Sequence, residues 1–174
     1  MSPKIGTPHA RIEDQLIAEL PRLRRFCAGL AGNADAGDDL LQATVERALA
    51  HADQWQDGTR LDSWLLRIAR NHAIDMARSR KVRGTAVDLD TIADLRGEDG
   101  QQIVEGRSEL AAVGRAFDGL SMEHKAVMAL VVINGCSYRE AAEALDIPIG
   151  SVMSRLARAR AAICARMHLT GAKR

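Results

Sequence analysis

The stretch from Ser137 to Arg160, SYREAAEALDIPIGSVMSRLARAR, gathers side chains suited to a specific contact with nucleic acid. Ser151, Ser154, Arg155, Arg158 and Arg160 fall in one short run. A guanidinium can read guanine through two parallel hydrogen bonds, and a serine hydroxyl can donate or accept. Such groups need a rigid rod to present them, and the flanking residues supply it. Ser137 and Glu140 make an S-x-x-E capping box, which starts a helix. Ala141, Ala142 and Leu145 give that helix a small-residue inner face. Asp146-Ile147-Pro148 ends it, because the residue before a proline is pushed out of the helical region. From about Gly150 a second helix carries Val152, Leu156, Ala159 and Ile163 at steps of four, three and four, one apolar face. A short helix, a turn and a second helix with a basic outer face predict a helix-turn-helix aimed at a major groove. The competing reading is an amphipathic hairpin whose arginines only meet water.

A second basic cluster lies earlier. After the polar loop Asp53–Arg60, the residues Leu61, Trp64, Leu65 and Ile68 stand at i, i+3, i+4 and i+7, and the helix should continue through Ala73, Ile74 and Ala77. Its outer surface and tail carry Arg67, Arg70, Asn71, Arg78, Arg80, Lys81 and Arg83, with Trp55 and Trp64 close by. Cations neutralise phosphates, and an indole can stack on an unpaired base. Taken alone, Trp64 fits a core position as well as a stacking one.

The remaining elements must position these two clusters. Residues 1–10 read as a mobile tail. Ile12, Leu16, Ile17 and Leu20 predict one helix that Pro21 ends, kinks or hands on to the next, in which Leu23, Phe26, Cys27 and Leu30 point inward. Gly29, Gly32 and Asn33 mark its end. Asp35 to Ala50 predicts a helix with Asp35, Asp38 and Asp39 at its N-terminal end, where the helix dipole favours negative charge. Leu41, Val45 and Ala48 are its expected core face; Leu40, Gln42, Thr44, Glu46 and Arg47 are left on the remaining surface. Gly84 to Gly106 loses helical period and gains acids, which predicts a flexible linker with a short helical turn at Leu89–Leu95. Beyond it, Ser108 and Ser121 are expected to cap two further helices, the second ending at Asn134-Gly135.

The chain has 174 residues, 47% of them hydrophobic, and a formal net charge of +1, enough to bury a core and too neutral for a basic nucleic-acid coat. Charge is uneven: residues 1–83 hold 13 basic and 11 acidic side chains, residues 84–108 hold 2 and 6, and residues 109–174 hold 9 and 6. Two mildly basic ends flank an acidic middle, a layout that suits two DNA-facing modules and a linker. Cys27, Cys136 and Cys164 are widely spaced with no C-x-x-C, so they read as free thiols of a reducing cytoplasm rather than a disulfide frame or zinc site. No metal-ligand spacing, cofactor motif, signal peptide or membrane-spanning run is present in the sequence. The expected fold is all-α: two small helical domains, residues 12–83 and 109–167, joined by an acidic linker at residues 84–108, with the helix-turn-helix in the second.

Three stretches, in order, resemble the sigma factors of bacterial RNA polymerase: Asp38-Asp39-Leu40-Leu41-Gln42-Ala43-Thr44, Ser63-Trp64-Leu65-Leu66-Arg67-Ile68-Ala69-Arg70-Asn71 and Gly150-Ser151-Val152-Met153-Ser154-Arg155-Leu156. The similar type is the small extracytoplasmic-function group. The resemblance implies that Asp39, Leu41, Gln42, Thr44 and Glu46 dock on the β′ clamp of core polymerase, with a further contact to the β flap. It implies that Trp64, Asn71, Arg78, Arg80, Lys81 and Arg83 melt and read the promoter −10 region, and that Ser151, Met153, Ser154, Arg155 and Arg158 read the −35 duplex. Many relatives carry a cation where Met153 stands; a methionine there can touch a thymine methyl. The resemblance also implies a cytoplasmic protein that needs no cofactor, does not insert into the membrane, and is held off by an anti-sigma factor. With the last helix running almost to Lys173-Arg174, control by a partner is expected rather than control in cis. The alternative is a stand-alone helix-turn-helix regulator with residues 12–83 as a sensing or dimer domain. An enzyme would need a nucleophile–base pair or a metal cluster, and the sequence offers neither.

Overall fold

The helical periods in the sequence become helices, with caps at several of their ends and one proline tolerated inside a helix. The structure is a computed structural model; it describes the backbone of residues 8–55, 59–83 and 112–171, and side chains within 12–55, 59–79 and 112–167. Of the tail expected at residues 1–10, residues 1–7 lie outside the described residues, as do the linker with its Leu89–Leu95 turn and the Ser108 cap; residues 8–10 are already helical, which corrects the expectation there.

Helix α1 spans Pro8–Ala31 without interruption, so the two helices expected on either side of Pro21 are one. Proline at this position removes the hydrogen bond to the carbonyl of residue 17, but both Ile17 and Pro21 lie on the solvent side, where water can satisfy that carbonyl. The chain leaves α1 through Gly32 at φ +88°, a left-handed turn that favours glycine. Asn33 then caps α2 (Ala34–Ala50), its side chain accepting the Ala36 N–H at 2.8 Å. The buried face of α2 is Gly37, Leu40, Thr44 and Ala48. This corrects the expected face: Leu40 and Thr44 point inward, and Leu41 and Val45 are half-buried at the margin. A 3-10 turn at Ala52–Gln54 leads to Trp55, which is buried core and not a stacking platform. Helix α3 spans Leu61–Arg83.

Gly37 explains the orientation of α2. A Cβ added there would lie 2.6 Å from Ala28 Cα and 2.9 Å from Ala28 N, so α2 crosses α1 backbone to backbone. Alanine in a helix interior is ordinarily favoured over glycine by about 1 kcal/mol. Here overpacking, typically about 1–3 kcal/mol, opposes that gain. Gly37→Ala is expected to lower the thermal midpoint measured by circular dichroism; a raised midpoint would show that the crossing is looser than this.

In the second half, residues 112–118 are helical (α4). Ser121 caps α5 (Met122–Met128) by accepting the His124 N–H at 3.4 Å. The helix then widens into a π turn, Ala129–Ile133, which the sequence did not signal. There the Asn134 N–H reaches back to the Ala129 carbonyl at 2.9 Å. Asn134 is right-handed, and Gly135 alone makes the positive-φ exit, at +67°. The capping box closes as expected on α6 (Tyr138–Leu145), with the Ser137 side chain accepting the Glu140 N–H and the Glu140 carboxylate accepting the Ser137 N–H. Asp146 ends α6 in the left-handed conformation (φ 53°), and α7 runs Ile149–Gly171. Arg166 of α7 donates to the Ala116 and Gly119 carbonyls at 2.8 and 2.7 Å, so it satisfies the otherwise open C-terminal end of α4. Lys125 is buried; it donates to Asp118 at 3.3 Å and lies 5.7 Å from the centre of the Phe117 ring, which compensates its desolvation.

The two halves are not apart. α1 packs on α5 and on the π turn, α3 packs on α5 and α6, and one hydrophobic cluster runs from Phe26 and Leu65 in the first half to Leu130 and Leu145 in the second.

Candidate nucleic-acid interface

Helix α7 buries Val152, Leu156 and Ala159 against α5 and α6, and this fixes what remains outside. Met153 (53% exposed), Ser154 and Arg158 project to solvent. The Ser154 hydroxyl donates to the Ser151 carbonyl at 3.1 Å, a bond within the helix that leaves its oxygen able to accept. Ser151 itself is half-buried. Arg155 stands apart from this face, paired with Glu123 at 3.0 Å. It borders a cleft of about 250 Å³ that Arg67 and Arg70 of α3 also line. The sequence placed these arginines in two separate clusters; the packing of α3 on α5 and α6 brings them together.

On α3 the positions 64, 67, 71 and 78 recur at helical spacing and form one outer stripe. Arg67, Asn71 and Arg78 are exposed; Trp64 is half-buried and leans on the core, so one side of its ring supports the fold and the rest is accessible. Asn71 accepts a hydrogen bond from Arg70 at 3.3 Å, which orients its side-chain amide outward. The side chains of Arg80, Lys81 and Arg83 lie outside the described residues, although their backbone continues α3.

Charges at the start of α3 hold it in place. Asp62, in the first turn, receives Arg22 at 2.7 Å and Arg60 at 2.7 and 3.2 Å. Burial disfavours its charge, but the hydrogen bonds from Arg60 and the Ser63 backbone, with the charges of Arg60 and Arg22, outweigh burial and keep the carboxyl below the ordinary aspartate value. A carboxyl lowered on folding contributes stability above its unfolded value, near pH 4, and loses it as pH falls through the lower folded value. Asp62→Asn is expected to cost about 1–3 kcal/mol at neutral pH. The penalty should shrink below about pH 4, where the unfolded parent takes up the proton, and be lost only below the lower folded value. Denaturant titrations of parent and variant at pH 7 and pH 3 check both statements. An equal penalty at the two pH values would contradict the assignment.

On α2, Asp39, Gln42 and Glu46 are exposed at i, i+3 and i+7, with Gln42 donating to Glu46 at 3.0 Å. Leu41 is half-buried beside them. Thr44 is a correction: it is fully buried, and its hydroxyl donates to the Leu40 carbonyl at 2.6 Å, so it supports the helix from below and cannot touch a docked partner. Cys27 sits nearby in the core, where burial pushes its thiol up to about 12. Among the described residues, no group of three or more His, Cys, Asp or Glu gathers as a metal set, and no helix is long and apolar enough to cross a membrane.

These surfaces coincide with family boundaries. Residues 16–83 match the model of sigma-70 region 2, and residues 110–163 match that of sigma-70 region 4. The chain is 34% identical to the ECF RNA polymerase sigma factor EcfG of Rhodopseudomonas palustris, over 93% of this chain and 88% of that one. It is 32% identical to the RNA polymerase sigma factor HrpL of Pseudomonas syringae pv. syringae, over 91% of this chain and 88% of that one. Among solved structures it resembles the sigma factor RpoE of Bartonella quintana, seen in complex with the anti-sigma factor NepR. The TM-score is 0.67 at 28% identity, covering 90% of this chain and 96% of that one. The region 2 match also accounts for the half of the chain that a stand-alone regulator would leave as a sensing domain. The chain belongs to the extracytoplasmic-function (ECF) RNA polymerase sigma factors, which direct bacterial polymerase to promoters and initiate transcription.

Proposed function

We propose that the two faces divide the promoter between them. Residues 12–83 dock on core polymerase and read the −10 region, and residues 109–167 read the −35 region. One observation supports this reading: a single chain presents two outward polar and basic faces, Trp64, Arg67, Asn71 and Arg78 on α3 and Met153, Ser154 and Arg158 on α7. The first face combines a half-accessible indole, an oriented amide and cations, which suits an unstacked strand held by its bases and phosphates. The second is a helix face of the width that enters a major groove, where Ser154 and Arg158 reach base edges or phosphates and Met153 packs on an apolar group. Arg155 reaches DNA only on releasing Glu123.

Asp39, Gln42 and Glu46 form the docking surface for the β′ clamp, with Leu41 as its apolar margin. The chain works by binding and carries no catalytic step of its own; it acts in the cytoplasm, where core polymerase is found. The relative seen with NepR supports control of this chain by an anti-sigma factor as well.

The test is run-off transcription with bacterial core polymerase on a pool of genomic promoter fragments. Discrete transcripts that need the protein support the reading. Tight specific duplex binding by the protein alone, with no transcripts, overturns it.

A further inference from the structure

The cleft of about 250 Å³ that Arg67, Arg70 and Arg155 line joins two kinds of surface. Part of its lining is apolar: Ile74 of α3, Ala126 of α5, and Leu145 and Ile147 around the end of α6. The rest is charged: the three arginines, Glu123 of α5, and Asp146 at the left-handed end of α6.

These charges are not equally engaged. Arg155 and Glu123 neutralise each other at 3.0 Å. Arg70 is half-buried, and its two terminal nitrogens donate to neutral acceptors, the Leu145 carbonyl at 2.9 Å and the Asn71 side-chain oxygen at 3.3 Å. Its Nε is buried and meets no acceptor. Arg67, about one turn earlier on α3, is exposed and makes no hydrogen bond or ion pair among the described residues. Asp146, the remaining acid of the lining, pairs with neither. Two guanidinium groups at i and i+3 therefore stand side by side with no carboxylate bound to either, which like-charge repulsion disfavours. A buried donor left unmet adds a second cost, and most such groups find a partner.

An anion with several oxygens removes both costs at once. A phosphate monoester carries about −1.5 to −2 charges at neutral pH and three acceptor oxygens. That is enough to bridge two guanidinium groups through the paired, planar hydrogen bonds arginine makes with phosphate. A carboxylate brings one charge and two oxygens, too little to outweigh Asp146 and still serve both arginines. The apolar lining defines the other end of the ligand, a ring or short hydrocarbon body. Sites for drug-sized ligands start at about 300 Å³, so this cleft takes something smaller, about the size of an aryl phosphate. A nucleic-acid duplex cannot enter a space of that size.

We propose that the cleft is a binding site for a small phosphate monoester with an apolar body. Arg67 and the Nε of Arg70 hold the phosphate, and Ile74, Leu145 and Ile147 cover the body.

The experiment titrates the full chain with phenyl phosphate, read by calorimetry and by amide chemical shifts, with inorganic phosphate and phenol as the two halves of the probe. Phenyl phosphate should bind one to one with a dissociation constant below about 1 mM. Each half should bind at least about tenfold more weakly, because one lacks the apolar contact and the other the charge-assisted bonds. The largest shifts should fall at Ala126 and Ile147. Arg67→Gln should weaken phenyl phosphate at least about tenfold, through one lost charge-assisted contact, with the thermal midpoint unchanged. Arg47→Gln removes the same charge from the exposed side of α2, outside the cleft, and should change binding less than about twofold. Equal losses in the two variants would show a diffuse charge effect and overturn the site. So would inorganic phosphate binding as tightly as phenyl phosphate, or no saturable binding by about 10 mM. A single-stranded oligonucleotide that moves the same Ala126 and Ile147 amides would assign the cleft to the DNA strand, and overturns it too. The readout needs neither polymerase nor promoter, so its failure leaves the promoter reading standing.

Discussion

Arg158→Glu is expected to weaken promoter binding by the polymerase–sigma complex about 30- to 1000-fold, equivalent to about 2–4 kcal/mol. Arg158 is exposed on α7 beside Met153 and Ser154 and makes no hydrogen bond or ion pair among the described residues, so the fold does not need it. A lost base or phosphate contact accounts for about 1–3 kcal/mol. The remainder comes from a carboxylate facing phosphates, which also makes the loss larger at low salt. Helicity and thermal midpoint should match the parent. Arg155→Ala should cost less, because Arg155 must first leave Glu123. A variant Arg158→Glu that binds −35 DNA normally would remove α7 from the recognition role.

Phe26→Ala is the second large effect, and it acts through stability. Phe26 is fully buried in α1, within the cluster that joins the two halves. Truncating a buried phenylalanine costs about 3–5 kcal/mol, because transfer energy and cavity energy add. At about 2–4 °C per kcal/mol for a chain of this size, the thermal midpoint should fall by about 6–20 °C. Calorimetry checks it. A change under about 1 kcal/mol would mean that neighbouring helices collapse into the space without strain.

The sequence made local signals legible and long-range ones not. Ser137 with Glu140, Ser121, and the break at Asp146–Pro148 are short-range devices, and each stands where its spacing said. The inner face of α7 followed from Val152, Leu156 and Ala159 in the same way. The face of α2 did not, because Leu40 and Leu41 are adjacent and either could head an apolar stripe. The choice is made by Gly37 lying on the backbone of Ala28, a contact with no signature in α2 itself. That choice buries Thr44 and removes it from the docking surface. Pro21 misled for a related reason: its cost depends on whether the carbonyl it orphans meets water, which is a tertiary fact. Arg22, Arg25, Arg60 and Arg70 read as generic cations, yet each ends on an acceptor more than 70 residues away, in the second half. Periodicity identifies a face; it does not identify what the face meets.

The most direct test of the central claim is permanganate footprinting of a supercoiled promoter with core polymerase and this protein. Reactive thymines should appear around −10 only when both are present. They should be lost in Trp64→Ala with Asn71→Ala while −35 protection persists, because α3 handles the melted strand and α7 the duplex. Normal melting by that double variant would contradict the account, as would melting by core polymerase alone.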